Sequence, residues 1–191
     1  MQNTSSILLL YSSRFGQCKR IAQTLGEELT PLGHSCEVFD IEQNPSPSKA
    51  IQDYDAVIIT ASIRYGYYHK NVGQFVCQNR QALEQTLDVF IPVNLVARKP
   101  DRRTLETNAY VRKFLEKTGW TPKLLNILPG ALTYPIYNPF DRFMIKLIMK
   151  MTKGETDTTK SIDYTNWEEV KTYAHTLHQK IDVKKEVPPS Q

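Results

Sequence analysis

The sequence has few cysteines and no long apolar run, and both features limit what the protein can be. Its three cysteines, Cys18, Cys36 and Cys77, are isolated and show no C-x-x-C spacing. This argues against a metal cluster or a disulfide framework and fits a reducing cytosol. No uninterrupted apolar stretch approaches the roughly 20 residues that span a bilayer. The N-terminus has no basic region followed by an apolar segment, so no secretory signal is expected.

Several motifs with a known chemistry are also missing. The chain contains neither the G-x-x-x-x-G-K-[ST] nor the G-x-G-x-x-G phosphate loop. It shows no Ser/His/Asp set, no paired carboxylates and no spacing of metal ligands, so no metal is expected. No RNA- or DNA-binding motif is recognisable, and nucleic acid is therefore not expected as a partner.

The composition that remains is that of an ordinary globular protein with an uneven charge distribution. Of the 191 residues, 40% are hydrophobic and 23% are charged, which is enough for one well-filled core. The net charge of +4 is concentrated in residues 94–117 and 134–154, where Lys and Arg outnumber Asp and Glu. These two segments predict contact with an anionic ligand or surface.

The stretch from Ile7 to Cys18 is the most informative part of the chain. Residues 7–10 form a continuous apolar run typical of a strand that is buried on both faces. A hydroxyl-rich loop with Ser12, Ser13 and Gly16 follows, and a helical pattern begins at Cys18. The amide groups and dipole of such a helix N-terminus favour a phosphate. An ordinary turn with a serine cap is the alternative.

Apolar strands alternate with amphipathic helices along the rest of the chain. Further strands are predicted at 35–41, 55–60, 88–93 and 124–132, and further helices at 71–86, 104–117 and 167–181. This alternation of strands and helices predicts an α/β, flavodoxin-like three-layer sandwich with a five-stranded parallel sheet in the order 2-1-3-4-5. We expect one domain over residues 1–182, with an insertion at 133–164, and a flexible tail at 183–191.

The loops after strands one, three and four should meet at the carboxyl edge of this sheet. The loop after strand three contains Ser62 to Gly66, and the loop after strand four contains Asn94 to Ala97. Together they offer aromatic and apolar walls with a few polar groups, as a flat flavin ring requires. Packing of the tyrosines in the protein interior is the alternative.

Four segments carry a family resemblance. They are Ser-Ser-Arg-Phe-Gly-Gln at 12–17, Ala-Ser-Ile-Arg-Tyr-Gly at 61–66, Val-Asn-Leu-Val-Ala-Arg-Lys-Pro at 93–100, and the long stretch 137–157. With these segments the chain resembles the quinone-dependent protoporphyrinogen IX dehydrogenases, a flavodoxin-like family of haem synthesis. The resemblance covers nearly the whole chain.

The resemblance implies bound flavin mononucleotide (FMN), oxidation of protoporphyrinogen IX, and transfer of electrons to a membrane quinone, either menaquinone or ubiquinone. It implies a location on the cytoplasmic side of the bacterial inner membrane, as a peripheral protein. The implied cofactor-binding residues are Ser12, Ser13, Arg14, Phe15, Gly16, Gln17, Cys18, Ser62, Ile63, Arg64, Tyr65, Gly66, Asn94, Leu95, Val96 and Ala97. Such loops usually end in threonine where this chain has Cys18, and a thiol is a weak donor to phosphate.

The insertion at 133–164 contains a predicted basic amphipathic helix. Arg142, Lys146 and Lys150 recur every four residues and should share one face. The opposite side should then be apolar, with Phe143, Met144, Leu147, Ile148 and Met151. Such a helix could lie on a membrane surface or cover an apolar ligand. The alternative is a helix that docks on the core with solvated lysines.

Basic side chains outside the phosphate loop are candidates for substrate binding. Arg98, Lys99, Arg102 and Arg103 could orient the two propionates of the porphyrinogen or hold anionic lipid headgroups. Arg142 and Lys146 are further candidates for substrate binding. Two catalytic roles are predicted: Arg64 would stabilise negative charge on the reduced flavin, and His69 would carry a proton.

Three other functions remain open from sequence. A flavodoxin-like electron carrier, an NAD(P)H:quinone reductase and a non-enzymatic membrane-associated module could all share this fold. A basic chain with an apolar insertion argues against a carrier that steers by acidic surfaces. A homo-oligomer is a further open alternative.

Overall fold

A parallel β-sheet forms the centre of the fold, and the structure, a computed structural model, describes residues 4–43 and 45–186. The strands are β1 (Ser6–Ser12), β2 (Ser35–Asp40), β3 (Ala56–Arg64), β4 (Tyr67–Tyr68), β5 (Leu87–Asn94), β6 (Leu124–Leu125), β7 (Leu128–Pro129), β8 (Ala131–Thr133) and β9 (Ser161–Asp163). The helices are α1 (Gln17–Leu29), α2 (Lys70–Gln85), α3 (Ala109–Thr118), α4 (Pro139–Met151) and α5 (Trp167–Glu186).

The strand order confirms the predicted flavodoxin-like topology. The sheet runs β2-β1-β3-β5-β6, with β7 also paired to β5 and β4 paired antiparallel to β3. The predicted fourth strand is therefore β5, and the predicted fifth strand begins with β6. The carboxyl ends of β1, β3 and β5 lie side by side, which is where such a sheet binds its ligand.

Alternation of side chains along β1 divides the core into two layers. Ile7 and Leu9 pack with α1 and α5, whereas Leu8 and Leu10 pack with the layer that contains α2 and α3. All four side chains are fully buried. Burial of an aliphatic side chain of this size contributes about 1.5–3 kcal/mol. The apolar run therefore specifies a sheet that is covered on both faces.

The predicted fifth strand, residues 124–132, is interrupted in the structure. Between β6 and β7 the amide of Asn126 donates to the carbonyl of Phe90 at 3.0 Å. The amide of Gly130 still donates to the carbonyl of Asn94 at 3.3 Å, but β5 ends at Asn94. The chain therefore leaves the sheet after Gly130. The last third of the predicted strand is β8, which pairs antiparallel with β9 in a separate two-stranded sheet.

Two predicted boundaries also differ. Helix α3 begins at Ala109 instead of residue 104, because the side chain of Asn108 accepts from the amide of Val111 at 3.4 Å and caps the helix. The predicted tail began at residue 183, but α5 continues to Glu186. Residues 187–191 of the predicted tail lie outside the described residues.

The insertion has a small core of its own. Leu132, Tyr134, Tyr137 and Met149 are buried together, and Leu95 after β5 packs against them. Helix α4 thus rests on the end of the central sheet. Among the described residues, no helix combines the length and the apolar character that crossing a bilayer requires.

The faces of α4 differ from the predicted pattern. The inward face carries Asp141 and Met149, which are buried, while Phe143, Leu147 and Met151 are exposed. Their spacing of four residues places these exposed side chains on one stripe. The predicted apolar side is therefore turned largely toward solvent, because hydrogen bonds from Arg64, Tyr65 and Asn138 hold the side chain of Asp141 inward.

Candidate functional site

A cavity of about 610 Å³ lies at the carboxyl ends of β1, β3 and β5. This volume falls within the range of small-molecule sites, about 300–1,000 Å³. Helix α4 of the insertion closes one side with Asp141, Ile145 and Ile148. Most of the predicted cofactor residues line it: Ser12, Ser13, Arg14, Phe15, Gln17, Ser62, Ile63, Arg64, Tyr65, Gly66, Asn94, Leu95 and Val96.

Cys18 occupies a different environment from the one expected. Its side chain is fully buried in the core beside α1, and burial raises the pKa of the thiol to about 12. Its backbone amide donates to the hydroxyl of Ser13 at 3.0 Å. The thiol behaves as a small core hydrophobe and not as a donor to phosphate. Ala97 is likewise fully buried.

The loop after β1 leads directly into the N-terminus of α1. Gly16 precedes the helix with φ 86°, a left-handed conformation that glycine adopts without strain. The absence of a side chain at Gly16 leaves the helix end open to a ligand. The hydroxyl of Ser12 donates to Oε1 of Glu42 at 2.6 Å. Glu42, which follows β2 and also lines the cavity, was not among the predicted site residues.

The loop after β3 is a tight hairpin. Arg64 pairs with Tyr67, and the two turn residues, Tyr65 and Gly66, have φ values of 50° and 90°. Two positive φ angles are typical of a type I′ turn. A side chain at residue 66 would also meet the ring of Tyr110, since a Cβ there would lie 3.1 Å from its Cε1. A tyrosine in the left-handed backbone conformation is strained, and such strain is common at functional sites.

This turn aims its side chains at a buried carboxylate on the insertion. Oδ1 of Asp141 accepts from Nη2 of Arg64 at 2.7 Å and from the hydroxyl of Tyr65. Oδ2 accepts from Nη2 of Arg14 at 3.4 Å and from the side-chain nitrogen Nδ2 of Asn138 at 2.9 Å. We refer to Asp141, Arg14, Arg64 and Tyr65 as the Asp141 cluster. It joins the insertion to the loops after β1 and β3.

The Asp141 cluster is charged at neutral pH. Burial alone would raise the pKa of Asp141, but hydrogen bonds from Tyr65 and Arg64, with the positive charges of Arg64 and Arg14, hold it below its ordinary value. Burial and the neighbouring carboxylate raise the pKa of Tyr65, which stays a hydrogen-bond donor. The sequence gives one indication that Asp141 belongs to the site: it is the sole acidic residue in the basic segment 134–154.

Two buried donors in the cavity lining have no partner among the described residues. They are Nδ2 of Asn94 and the hydroxyl of Tyr68. Oδ1 of Asn94 accepts from the amide of Ala97 at 3.0 Å and from Nδ2 of Asn108 at 3.4 Å, which identifies the other atom as nitrogen. An unpaired buried donor is costly, so the site fits a ligand that brings acceptors.

The two predicted catalytic residues both line the cavity. Arg64 lies over the ring of Tyr65, 4.9 Å from its centroid, and 41% of its side chain is exposed. His69 caps α2, because its Nδ1 accepts from the amide of Asn71 at 3.4 Å. Its Nε2 lies 3.8 Å from Oε2 of Glu42. His69 thus has a structural task, and its role in proton transfer stays a prediction.

The basic loop after β5 is turned away from the cavity. Arg98 donates to the carbonyls of Leu95 and Thr152, both at 2.8 Å, and so ties the end of α4 to this loop. Arg103 donates to the carbonyl of Ala97 at 2.8 Å. Bonds to backbone carbonyls make both guanidinium groups structural supports.

The other predicted cations lie outside the lining as well. Lys99, Arg102 and Lys146 are exposed on the surface, and Arg142 donates to the carbonyl of Tyr137 at 3.3 Å. Among the described residues, the cations that line the cavity are Arg14, Arg64 and Lys70.

Comparison with known proteins agrees with this architecture. The flavodoxin-domain family matches residues 8–159. Protoporphyrinogen IX dehydrogenase [quinone] of Escherichia coli K12 is 46% identical over 92% of this chain and 96% of its own length. The protein of the same name from Leishmania major is 43% identical over 87% of this chain and 72% of its own.

Solved structures support the fold alone. A WrbA-like flavodoxin from Agrobacterium tumefaciens has a TM-score of 0.51 at 15% identity, covering 94% of this chain and 98% of its own. A flavodoxin from Streptococcus pneumoniae TIGR4 has a TM-score of 0.50 at 12% identity, covering 92% and 99%. The family match and the relatives above 40% identity show that this chain belongs to the flavodoxin-domain family that includes the protoporphyrinogen IX dehydrogenases [quinone].

Proposed function

We propose that this chain is an FMN-dependent oxidoreductase that oxidises protoporphyrinogen IX to protoporphyrin IX and delivers the electrons to a membrane quinone. The observation that carries the proposal is the cavity, where a helix N-terminus faces the same space as two unpaired buried donors. The relative named for this reaction supports it at 46% identity over 92% of the chain.

The residues present fit FMN. The open N-terminus of α1, after Gly16, would hold the phosphate with its amides and dipole. The amide nitrogen of Asn94 and the hydroxyl of Tyr68 would donate to acceptors of the flavin, such as those on its ring edge. The predicted loops at 62–66 and 94–97 would flank the ring. The cofactor would supply two-electron redox chemistry.

The protein's own contribution is placement and electrostatics. Removal of six electrons from the porphyrinogen requires three two-electron rounds, so the substrate must be held at one site while its reactive carbons are presented. Arg64 places positive charge at the cavity, where negative charge would develop on reduction. The wall of Ile145 and Ile148 would exclude water from the apolar ring.

For the propionates of the substrate, Arg14 and Arg64, which were predicted as cofactor-binding residues, lie closer to the cavity than the cations predicted to bind substrate. Both line the cavity, and 46% and 41% of their side chains are exposed. Guanidinium groups bind carboxylates bidentately. The predicted residues Arg98, Lys99, Arg102, Arg103, Arg142 and Lys146 would then act at the periphery, in loop support or at an anionic surface.

An anaerobic assay tests the proposed reaction. Purified yellow protein is mixed with protoporphyrinogen IX and either a ubiquinone or a menaquinone, and porphyrin fluorescence is followed. We expect a rise that depends on both protein and quinone and exceeds the rate with free FMN. No rise, together with rapid bleaching of the flavin by NAD(P)H, would instead favour the quinone reductase. A protein that does not retain flavin would favour a non-enzymatic module.

We further propose that α4 places the protein peripherally on an anionic bilayer, on the cytoplasmic side of the inner membrane. Phe140, Phe143 and Met151 are 63%, 64% and 77% exposed on one stripe of the helix. Exposed Lys146 and Lys150 flank the stripe and would meet lipid headgroups. This surface adjoins the cavity wall, so a quinone in the membrane would reach the site from it.

Replacing the stripe should abolish binding to membranes without unfolding the protein. We expect F140S/F143S to lose most of its co-sedimentation with vesicles that contain anionic lipid, because burial of each ring contributes about 1.5–3 kcal/mol. V183S, which changes another exposed apolar side chain, on α5, is the matched control and should sediment as wild type. Equal sedimentation of all three proteins would contradict the membrane assignment.

A further inference from the structure

A second cluster of potential ligands lies at the end of the sheet opposite the cavity. His34 immediately precedes β2, and His178 and Asp182 lie on α5. The strands of the sheet are parallel, so residues before β2 lie at the amino edge, whereas the flavin cavity lies at the carboxyl edge. The proposed oxidoreductase function does not use any of these three residues.

The three side chains bring their donor atoms together. Nε2 of His34 lies 2.9 Å from Nδ1 of His178, which lies 3.4 Å from Oδ2 of Asp182. All three ligand atoms lie within 4.8 Å of one another. Two nitrogen ligands of a tetrahedral zinc ion, each at about 2.1 Å, are about 3.4 Å apart. Small side-chain adjustments therefore convert this cluster into a coordination site.

The backbone holds the three residues in fixed positions. The amide of His34 donates to the carbonyl of Leu29 at 3.4 Å, and the amide of Ser35 donates to the carbonyl of Ser5 at 2.8 Å. On α5, His178 and Asp182 each follow a fully buried core residue and are four positions apart, so they share one face. A rigid frame lowers the cost of assembling a metal site.

We propose that His34, His178 and Asp182 bind a divalent transition-metal ion with the ligand preferences of Zn²⁺. Two imidazoles and a carboxylate are typical zinc ligands, with water in the fourth position. The side chains of His178 and Asp182 are 30% and 49% exposed, so the ion can enter from solvent. Bound metal would fasten α5 to the turn between α1 and β2, and would stabilise the folded chain.

Titration of the untagged, full-length protein with Zn²⁺, after treatment with a chelator, tests this site. We expect one ion per chain by calorimetry and a rise in the thermal unfolding midpoint of roughly 5–11 °C when zinc exceeds its Kd a hundredfold. H178A and D182N should each weaken binding at least about tenfold, since H178A removes one of three ligands and D182N replaces an anionic oxygen ligand with a neutral one. H178Q keeps a polar side chain and should also lose the ion.

His175 provides the matched control. It lies on the same helix as an exposed histidine outside the cluster, so H175A should bind zinc as tightly as the wild type. If zinc did not raise the thermal unfolding midpoint of the wild-type protein, the cluster would be only a hydrogen-bonded pair of imidazoles, and the proposal would be overturned. Equal loss in H175A and H178A, or none in H178A and H178Q, would also overturn it. Flavin content, measured in parallel, should not change in any variant.

Discussion

Asp141→Asn should weaken FMN binding roughly tenfold and lower the free energy of unfolding by about 2 kcal/mol. The substitution keeps the shape of the side chain but removes the charge that Arg14 and Arg64 face. Breaking a fully buried ion pair costs more, but both guanidinium groups here are nearly half exposed and partly screened. The loops after β1 and β3 would lose their common anchor on the insertion.

The effect on stability should depend on pH in a defined direction. The pKa of Asp141 is lower in the folded protein than its ordinary value of 3.8. A depressed carboxyl pKa contributes stability above the ordinary value, and that contribution is lost as the pH falls through the folded value. The difference in unfolding free energy between wild type and D141N should therefore have its maximum value at pH 7 and should decrease below about pH 4.

D157N is the matched control for this experiment. Asp157 lies on the same insertion, but it is exposed. Among the contacts described, its carboxylate bonds only to its local neighbours Thr159 and Lys160. Chemical denaturation over a pH series and titration of the apoprotein with FMN would measure both effects. If D141N bound FMN and unfolded like D157N at pH 7, the Asp141 cluster would have no role in holding the site together.

Asn94→Asp should weaken FMN binding by about 100-fold, the largest loss that we expect from a single atom exchange. Aspartate keeps the oxygen that caps the turn after β5 through the amide of Ala97. It replaces the unpaired donor Nδ2 with a further oxygen in a buried position, where a carboxylate repels flavin acceptors and loses its own solvation.

The measurement is quenching of flavin fluorescence on titration of apoprotein, with circular dichroism as the test of folding. N79D makes the same chemical change on α2, where the amide of Asn79 bonds to the carbonyl of Phe75, and should bind FMN as wild type. A folded N94D variant with wild-type affinity would show that the amide of Asn94 does not contact the cofactor.

Local patterns in the sequence were sufficient to predict the frame of the site. The apolar run of β1 and the helical spacing after Cys18 indicate a strand, a loop and a helix in succession, and buried parallel strands have few alternative arrangements. The loops at 12–17, 62–66 and 94–96 therefore met where they were expected. These inferences depend on neighbours close in the chain, for which side-chain periodicity is a direct signal.

The sequence was least informative where a side chain had two possible environments. The basic spacing of Arg98 and Arg103 indicated anion binding, but their nearest acceptors in the folded chain are backbone carbonyls. Cys18 lies on the phosphate loop by sequence, yet the first turn of α1 points its thiol into the core. Sequence position predicts which loop a residue belongs to, but not the direction of its side chain.

By itself, the sequence determined the parallel sheet, its strand order and the edge that carries the cavity, because apolar periodicity and short connections restrict the topology. Only the tertiary structure decided that Arg14 and Arg64 meet the carboxylate of Asp141, 127 and 77 positions away in the chain. It likewise decided that Nδ2 of Asn94, which lines the cavity, is buried without a hydrogen-bond partner among the described residues. Such pairings depend on long-range packing that leaves no periodic trace in the sequence.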